Sequence, residues 1–445
     1  MGELKNSLEE QIKFVASIFK NKTENKEIQV ISHFDTDGIS SATIIVKTLK
    51  NLDKKFTLKI LKSLDEQNIR DLSKDKITLF LDLASNSLNY IKESGLKNVF
   101  IIDHHQIIQE IPENVHIINP ETFKKQKISS SSLTYLFSRE IGNTDKDLAK
   151  IAILGMVGDM LEKEIGKLNN DILKDGEIKR KRGLLIYPST RPLNRTLEFS
   201  SQPYIPEVTG NIEGVIELLR EVGIESKNGK YKSIIELNEE EMEKLITAII
   251  LRNPKCKASE IVGDIFLIKL YNKLEDAREL SAIVNACSRY GDPTSAILYL
   301  MEVTNSKKKA ESLHIKYKQQ LISGLKFANK TKKIQGNGFV IINAKDNIKD
   351  TMIGTICSIL SNSSLYEEGT IIVGLAHYEN KIKVSARNVG KTGRNVREIL
   401  NKVITEIGGE VGGHEFAAGA NISQNKEKEF LNLLKKSLEV EVLKV

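Results

Sequence analysis

The sequence predicts an α/β protein in three parts. A parallel-sheet domain covers residues 1–160, a mostly helical insertion with a connecting helix covers 161–335, and a smaller α/β domain covers 336–445. Three observations predict it. Between residues 27 and 158, short and nearly continuous Ile/Val/Leu runs alternate with segments of helical spacing, as in a parallel sheet covered on both faces. From about 160, helical periodicity dominates. From 337, a second alternation of strand-like and helical segments begins.

The elements follow in chain order. Leu4, Leu8, Ile12, Val15 and Ile18 share one helical face, so 3–20 reads as a helix. After the polar NKTENKE, EIQVISH (27–33) reads as a strand and GISSATIIVKTL (38–49) as a helix. FTLKILK (56–62) and ITLFLDL (77–83) read as strands, with a helix near SLNYIKESG (87–95). NVFIID (98–103) and VHIIN (115–119) are the fourth and fifth strands, and helices near 130–141 and 146–158 close the region. In the insertion, EGVIELLREVG (213–223), EEEMEKLITAIILRN (239–253), SEIVGDIFLIKL (259–270), ELSAIVNACSRYG (279–291) and TSAILYLMEV (294–303) all read as helices. Residues 306–330 form a lysine-rich amphipathic stretch. Beyond it, GFVIINA (338–344), GTIIVGLAHY (369–378) and KIKVSARN (381–388) read as strands. TMIGTICSILS (351–361), NVREILNKVITEI (395–407) and KEKEFLNLLKKSLE (426–439) read as helices.

Composition bounds the function loosely. A formal charge of +7 permits a nucleic-acid partner without requiring one. Cys256, Cys287 and Cys357 form no CxxC pair and read as buried thiols of a reducing compartment. The N-terminal MGELKNSLEEQIKF lacks the apolar core of a signal peptide. No apolar run approaches the ~18 residues of a membrane span. The expectation is a cytoplasmic protein with no membrane contact.

Four polar clusters end apolar segments of the first region: His33-Phe34-Asp35-Thr36-Asp37-Gly38, Asp82 in FLDLAS, Asp103-His104-His105, and Asp159 in GMVGD. The carboxyl ends of parallel strands face one crevice, so residues distant in sequence can converge there. Taken singly, DTDG reads as a turn and helix cap and Asp82 as a cap. Taken together, the carboxylates would repel one another unless cations lay between them. Hard oxygen donors plus imidazole suit Mn²⁺ or Mg²⁺. There are donors enough for two ions, with Asp82 as the expected bridge.

DTDG, LDL, IDHH and VGD, in that order, resemble the four motifs of the DHH phosphoesterase superfamily. SARN (385–388) and GGEVGGHEFAAGANI (408–422) resemble the accessory DHHA1 domain of RecJ-like nucleases and oligonucleotide phosphodiesterases. The resemblance implies an N-terminal DHH domain in which His33, Asp35 and Asp82 hold one metal, and Asp37, Asp82, His104 and Asp159 the other. It implies two Mn²⁺ ions, with Mg²⁺ as the substitute. Asp103 would orient the strand end or a histidine, and His105 would face the scissile phosphate. In the tail, Arg387, Asn388, Gly412, Gly413 and His414 would bind substrate. The tail reads GGEVGGH where relatives often have an unbroken glycine run.

Residues 161–335 are too many for a loop and must be a structured insertion. That layout is similar to RecJ-like proteins of archaea, including nucleases that associate with the GINS replication complex. VNACSRYGD (284–292) resembles the NA-x-x-R-x-G segment of RecJ-type nucleases, which implies substrate contacts from Asn285 and Arg289; a helix C-terminus is the plainer reading. The basic KRKRGLLIYPSTRPLNR (179–195) reads equally as a nucleic-acid track and as a solvated loop. The expected activity is a metal-dependent exonuclease on single-stranded DNA or RNA. The alternatives are a replisome scaffold binding GINS-type partners with weak catalysis, and a phosphodiesterase of short oligonucleotides or cyclic dinucleotides.

Overall fold

The computed structural model describes residues 7–123, 126–200, 203, 205–253, 257–363 and 365–439; Cys256 lies outside them. The chain divides into two units, Met1–His314 and Ile315–Val445.

The first unit opens with α1 (Leu8–Lys22), β1 (Ile28–His33) and α2 (Thr36–Asn51). β2 (Phe56–Leu61), α3 (Glu66–Arg70), β3 (Ile77–Leu81), α4 (Leu88–Ser94), β4 (Val99–Ile102) and β5 (Val115–Ile118) follow. The five strands form one parallel sheet, ordered β2-β1-β3-β4-β5. α5 (Ser130–Glu140) and α6 (Leu148–Gly158) come next. β3 and β4 are buried throughout, and alternate residues serve opposite faces. Leu79, Leu81, Phe100 and Ile102 share a core with α1 and α5, while Phe80, Val99 and Ile101 share one with α3 and α4. Phe19 of α1 meets Phe100 and Phe137 edge-on, with ring centroids 5.0 and 5.2 Å apart.

The register places the polar clusters. Ser32 pairs with Leu81, Leu81 with Ile102, and Ile102 with Ile118. One residue further on, His33, Asp82, Asp103 and Asn119 therefore stand in a row along the carboxyl edge of the sheet.

The insertion contains α7 (Lys167–Asp175), β6 (Lys179–Leu184), α8 (Leu193–Glu198), α9 (Ile212–Glu221), α10 (Glu239–Arg252) and α11 (Ala258–Ile261). β7 (Val262–Leu270), β8 (Lys273–Asp276), α12 (Ala277–Tyr290) and α13 (Pro293–Leu300) follow. The expectation of a helix over 259–270 fails there: only Ala258–Ile261 is helical, and the rest is the middle strand of an antiparallel sheet, β6-β7-β8. Run length cannot separate a short apolar strand from a buried helix. β7 is rich in Ile, Val and Phe, and its partner β6 lies far upstream, beyond any local signal. Its two faces serve two cores. Ile265 and Leu267 pack with the helices α8–α10, whereas Phe266 and Ile268 pack with α6 and α12. The segment 179–195 starts as β6, and much of its charge is engaged. Arg180 pairs with Asp264, Lys181 donates to the Ile235 and Leu237 carbonyls, Arg191 pairs with Glu275 and Glu279, and Arg195 with Glu198.

α14 (Ser306–Lys330) crosses the division between the units. The second unit continues with β9 (Ile334–Gly336), β10 (Phe339–Asn343), α15 (Asp350–Ser361), β11 (Ile371–Tyr378) and β12 (Lys381–Asn388). α16 (Val396–Ile407), β13 (Glu410–His414), β14 (Ala417–Ser423) and α17 (Glu427–Glu439) complete it. The sheet is ordered β13-β14-β12-β11-β10-β9, with only β10 and β11 parallel. Leu400, Phe430 and Leu434 bring α16 and α17 onto its core. Cys287 and Cys357 are buried free thiols, and burial pushes both up to about 12. Among the described residues, no helix is long and apolar enough to cross a membrane.

Candidate metal centre

Each candidate ligand follows a buried strand or a helix end. Asp35 caps α2, its Oδ1 accepting the Gly38 N–H at 3.0 Å. A Cβ on Gly38 would lie 2.3 Å from the His33 carbonyl oxygen, so this turn requires glycine. Asp82 follows β3 with φ at 59°, and Ala84 has φ at 92°. Two positive φ values on non-glycine residues are costly and cluster at functional sites. Asp37, on the first turn of α2, is fully buried against the start of α5, where the N–H groups of Ser130 and Ser131 reach its two oxygens at 2.7 and 3.0 Å. Asp159 ends α6.

These residues converge on Asp82. His33 Nδ1 lies 2.9 Å from Asp35 Oδ2 and 3.4 Å from Asp82 Oδ2. His104 Nε2 lies 3.5 Å from Asp82 Oδ1 and 3.2 Å from Asp159 Oδ2. Three overlapping sets can each hold a cation: His33, Asp35 and Asp82; Asp37, His104 and Asp159; and Asp82, His104 and His105. Asp82 is 1% exposed, yet neither of its oxygens receives a hydrogen bond. A buried carboxylate without a donor is unstable on its own, and a cation supplies what is missing. The residues therefore fit a divalent metal.

The electrostatics agree. Burial and the charges of Asp35, Asp37 and Asp103 push the Asp82 carboxyl well above its usual range. Burial, then Asp37, Asp35 and Asp82, do the same to Asp159. Burial would also raise Asp35, but the charge and hydrogen bond of His33 and the Gly38 N–H hold it below the carboxylate range. Burial lowers His33, and Asp35 and Asp159 outweigh it, so the imidazole is raised; Arg289 works against the rise.

Asp103 is taken up by its own hydrogen bonds. Oδ1 accepts the N–H groups of His104 (2.8 Å) and His105 (3.2 Å) and contacts His105 Nδ1 at 2.7 Å; Oδ2 accepts the Ser85 N–H at 3.0 Å. Against burial, His105, His104 and Ser85 hold the Asp103 carboxyl low. Burial lowers His105, but the Asp103 bond and charge win and raise it.

The insertion contributes Asn285 and Arg289. Arg289 Nε donates to Asn285 Oδ1 at 2.8 Å, and the guanidinium stands 5.6 Å from the Phe34 ring centroid, beside His33. Thr36 Oγ1 donates to the Ser281 carbonyl at 3.2 Å, tying the start of α2 to α12. The sequence reading missed Phe34, Ser85, Asn119 and the Ser129–Ser132 run. That run before an apolar helix is a helix-start signal, but nothing local says its N–H groups hold Asp37.

In the second unit, Arg387, Ala417 and His414 share one cross-strand row. Arg387 Nε donates to Ser358 Oγ at 2.9 Å and Nη1 to the Ala386 carbonyl at 2.8 Å. Asn388 Nδ2 donates to the Thr392 carbonyl at 2.9 Å, shaping the loop before α16. Gly412, Gly413 and His414 lie exposed on edge strand β13. Gly413 has φ at 117°, and a Cβ there would lie 2.4 Å from the Ala417 carbonyl oxygen.

Comparison with known proteins agrees with this arrangement. The DHH family, N-terminal domain, matches residues 27–156; the DHH-CID domain matches 186–261 and the DHHA1 domain 336–439. The uncharacterized protein MJ0831 of Methanocaldococcus jannaschii is 31% identical over 443 residues, covering 95% of this chain and 96% of that one. The single-stranded-DNA-specific exonuclease RecJ of Bacillus subtilis is 21% identical over 155 residues, 31% of this chain and 20% of that protein. Among solved structures, exonuclease RecJ bound to manganese aligns with a TM-score of 0.60 at 15% identity, over 97% of this chain and 95% of that chain. CDC45 from Entamoeba histolytica aligns with a TM-score of 0.67 at 10% identity, over 96% and 99%. At these identities the two structures speak for the fold.

Proposed function

This chain belongs to the DHH phosphoesterase superfamily with a RecJ-like architecture, and from that premise we propose that it is a metal-dependent exonuclease on single-stranded DNA or RNA. One observation carries the reading: His33, Asp35, Asp37, His104 and Asp159, from separate element ends, gather around the buried Asp82 carboxylate, which has no donor of its own. His33, Asp35 and Asp82 would hold one Mn²⁺ or Mg²⁺ ion, and Asp37, Asp82, His104 and Asp159 the other. Such a pair, when bound, activates water and neutralises charge at a phosphoryl centre.

The chain's own groups do the rest. Asp103 fixes the ring of His105 through Nδ1. That leaves Nε2, on the half-exposed ring, to donate a proton to the departing oxygen. Arg289, steadied by Asn285 and Phe34, brings positive charge beside His33 for a substrate phosphate. Arg387 and His414, in the second unit, would bind the substrate. The 21% identity to an exonuclease specific for single-stranded DNA favours that substrate class. A scaffold bound to GINS-type replisome proteins has the CDC45-like fold in its favour, but a scaffold has no use for an assembled ligand set.

The test is a time course on end-labelled single strands and on dinucleotides, with Mn²⁺ and with chelator. Stepwise shortening of long strands that stops with chelator is expected. Asp35→Ala or His104→Ala should lower the rate by at least about 100-fold, since even groups that only support a metal ligand cost 10–100-fold, with the folded spectrum retained. Full activity in either variant refutes the ligand assignment. Cleavage of dinucleotides alone would instead favour a short-substrate phosphodiesterase.

A further inference from the structure

Asn119 takes no part in the ligand sets, yet it completes the row of strand ends His33, Asp82, Asp103 and Asn119. It is fully buried. Its Nδ2 donates to the His105 carbonyl oxygen at 2.9 Å and to Ser85 Oγ at 3.1 Å. Its Oδ1 accepts the Glu121 N–H at 2.9 Å. A carbonyl can only accept and a backbone N–H can only donate, so the amide has one orientation.

Asp103 grips the same two residues from the other side, taking the Ser85 N–H on Oδ2 and the His105 N–H and Nδ1 on Oδ1. Ser85 and His105 are thus each held twice. Ser85 ends the segment in which Asp82 and Ala84 take positive φ, a conformation that persists only where surrounding contacts over-determine it. His105 ends the turn that presents His104. Asn119 therefore joins Asp103 in locking the loop carrying Asp82 to the loop carrying both histidines. An aspartate would set an oxygen where Nδ2 stands, against the His105 carbonyl oxygen, which can only accept, and would lose both donors.

We propose that Asn119 is a positioning residue for hydrolysis, setting Asp82 and His105 through Ser85 and the His105 backbone; this rests on the function proposed above. The test compares the parent chain with Asn119→Asp, Ser85→Ala and Ser85→Thr. It measures kcat and KM on single-stranded DNA with Mn²⁺, Mn²⁺ affinity by calorimetry, and the melting temperature. Asn119→Asp should lower kcat by about 10–100-fold with KM little changed, and weaken Mn²⁺ binding, as loss of a supporting hydrogen bond does at other metal sites. Ser85→Ala, which leaves the core intact, should shift both in the same direction by less. Ser85→Thr, which keeps the hydroxyl, should restore them. Parent-like kcat and Mn²⁺ affinity in Asn119→Asp and Ser85→Ala overturn the inference, as does a kcat loss that only follows the folded fraction. A parent that binds Mn²⁺ but cleaves no strand sinks the exonuclease reading alone; Mn²⁺ affinity then decides the role of Asn119, an unchanged value overturning it. A parent that binds no Mn²⁺ sinks both.

Discussion

At the scale of single residues, the balance of like charges around Asp82 dictates a pH dependence. Asp82 and Asp159 are raised, so above the ordinary carboxylate value of about 3.9 the folded, ion-free protein binds more protons than the unfolded chain. Its stability therefore falls as pH rises through that window. His33 and His105 are also raised. Their contribution is complete below about 6.5 and is lost as pH rises through the folded values. Asp35 and Asp103 are lowered, so their contribution is lost only as pH falls below the usual carboxylate range. A divalent ion binds the deprotonated groups and competes with protons. The rise in melting temperature on adding Mn²⁺ should thus be larger near about pH 8 than near about pH 5. An equal rise at both would mean that these carboxyls do not hold the ion.

At the scale of elements, the site depends on how closely three helices approach. Gly155 in α6 faces α5 and the start of α2: a Cβ there would lie 2.1 Å from Ser131 Oγ and 2.4 Å from Asp37 Oδ1. Ala substitution would normally favour a helix interior. Here the methyl group must push α5 away, and Asp37 would lose the two N–H donors that hold it. Gly155→Ala should destabilise the fold by roughly 1–3 kcal/mol, the usual cost of overpacking. It should also weaken Mn²⁺ binding, measured by denaturant unfolding and calorimetry. A gain in stability with unchanged Mn²⁺ affinity would show that the helices can separate freely.

At the scale of the whole molecule, the proposed metal-binding and substrate-binding roles fall on different units. Every candidate metal ligand lies in the first, while Arg387 and His414 lie in the second. Arg387→Ala should raise KM for single strands by about tenfold or more, the loss of a hydrogen bond to a charged group being worth about 1.5–3 kcal/mol. Mn²⁺ affinity should stay at the parent value. Calorimetry beside steady-state kinetics separates the two effects, and a drop in kcat at constant KM would count against a binding role. Binding of longer strands should weaken with added salt, as phosphate contacts require.

Much of this protein is legible in the chain itself. Continuous runs of Ile, Val, Leu and Phe mark β3 and β4, because a strand buried on both faces admits little else, while the edge strand β2 shows as alternation of apolar and polar residues. DTDG, IDHH and VGD stand out because polar residues are placed where buried elements end. Other features have no local signature. β7 resembles a buried helix until β6 pairs with it, and no strand is expected from the glycine-rich 408–422, where β13 and β14 form a hairpin. Nothing near Asn119 announces that its amide reaches Ser85 and His105, and nothing near Ser130 announces Asp37. Sequence spacing carries the identity of groups that repel or ligate, since that is a property of each side chain. Which backbone groups steady them depends on strand register and helix approach, and these arise only when distant segments pack.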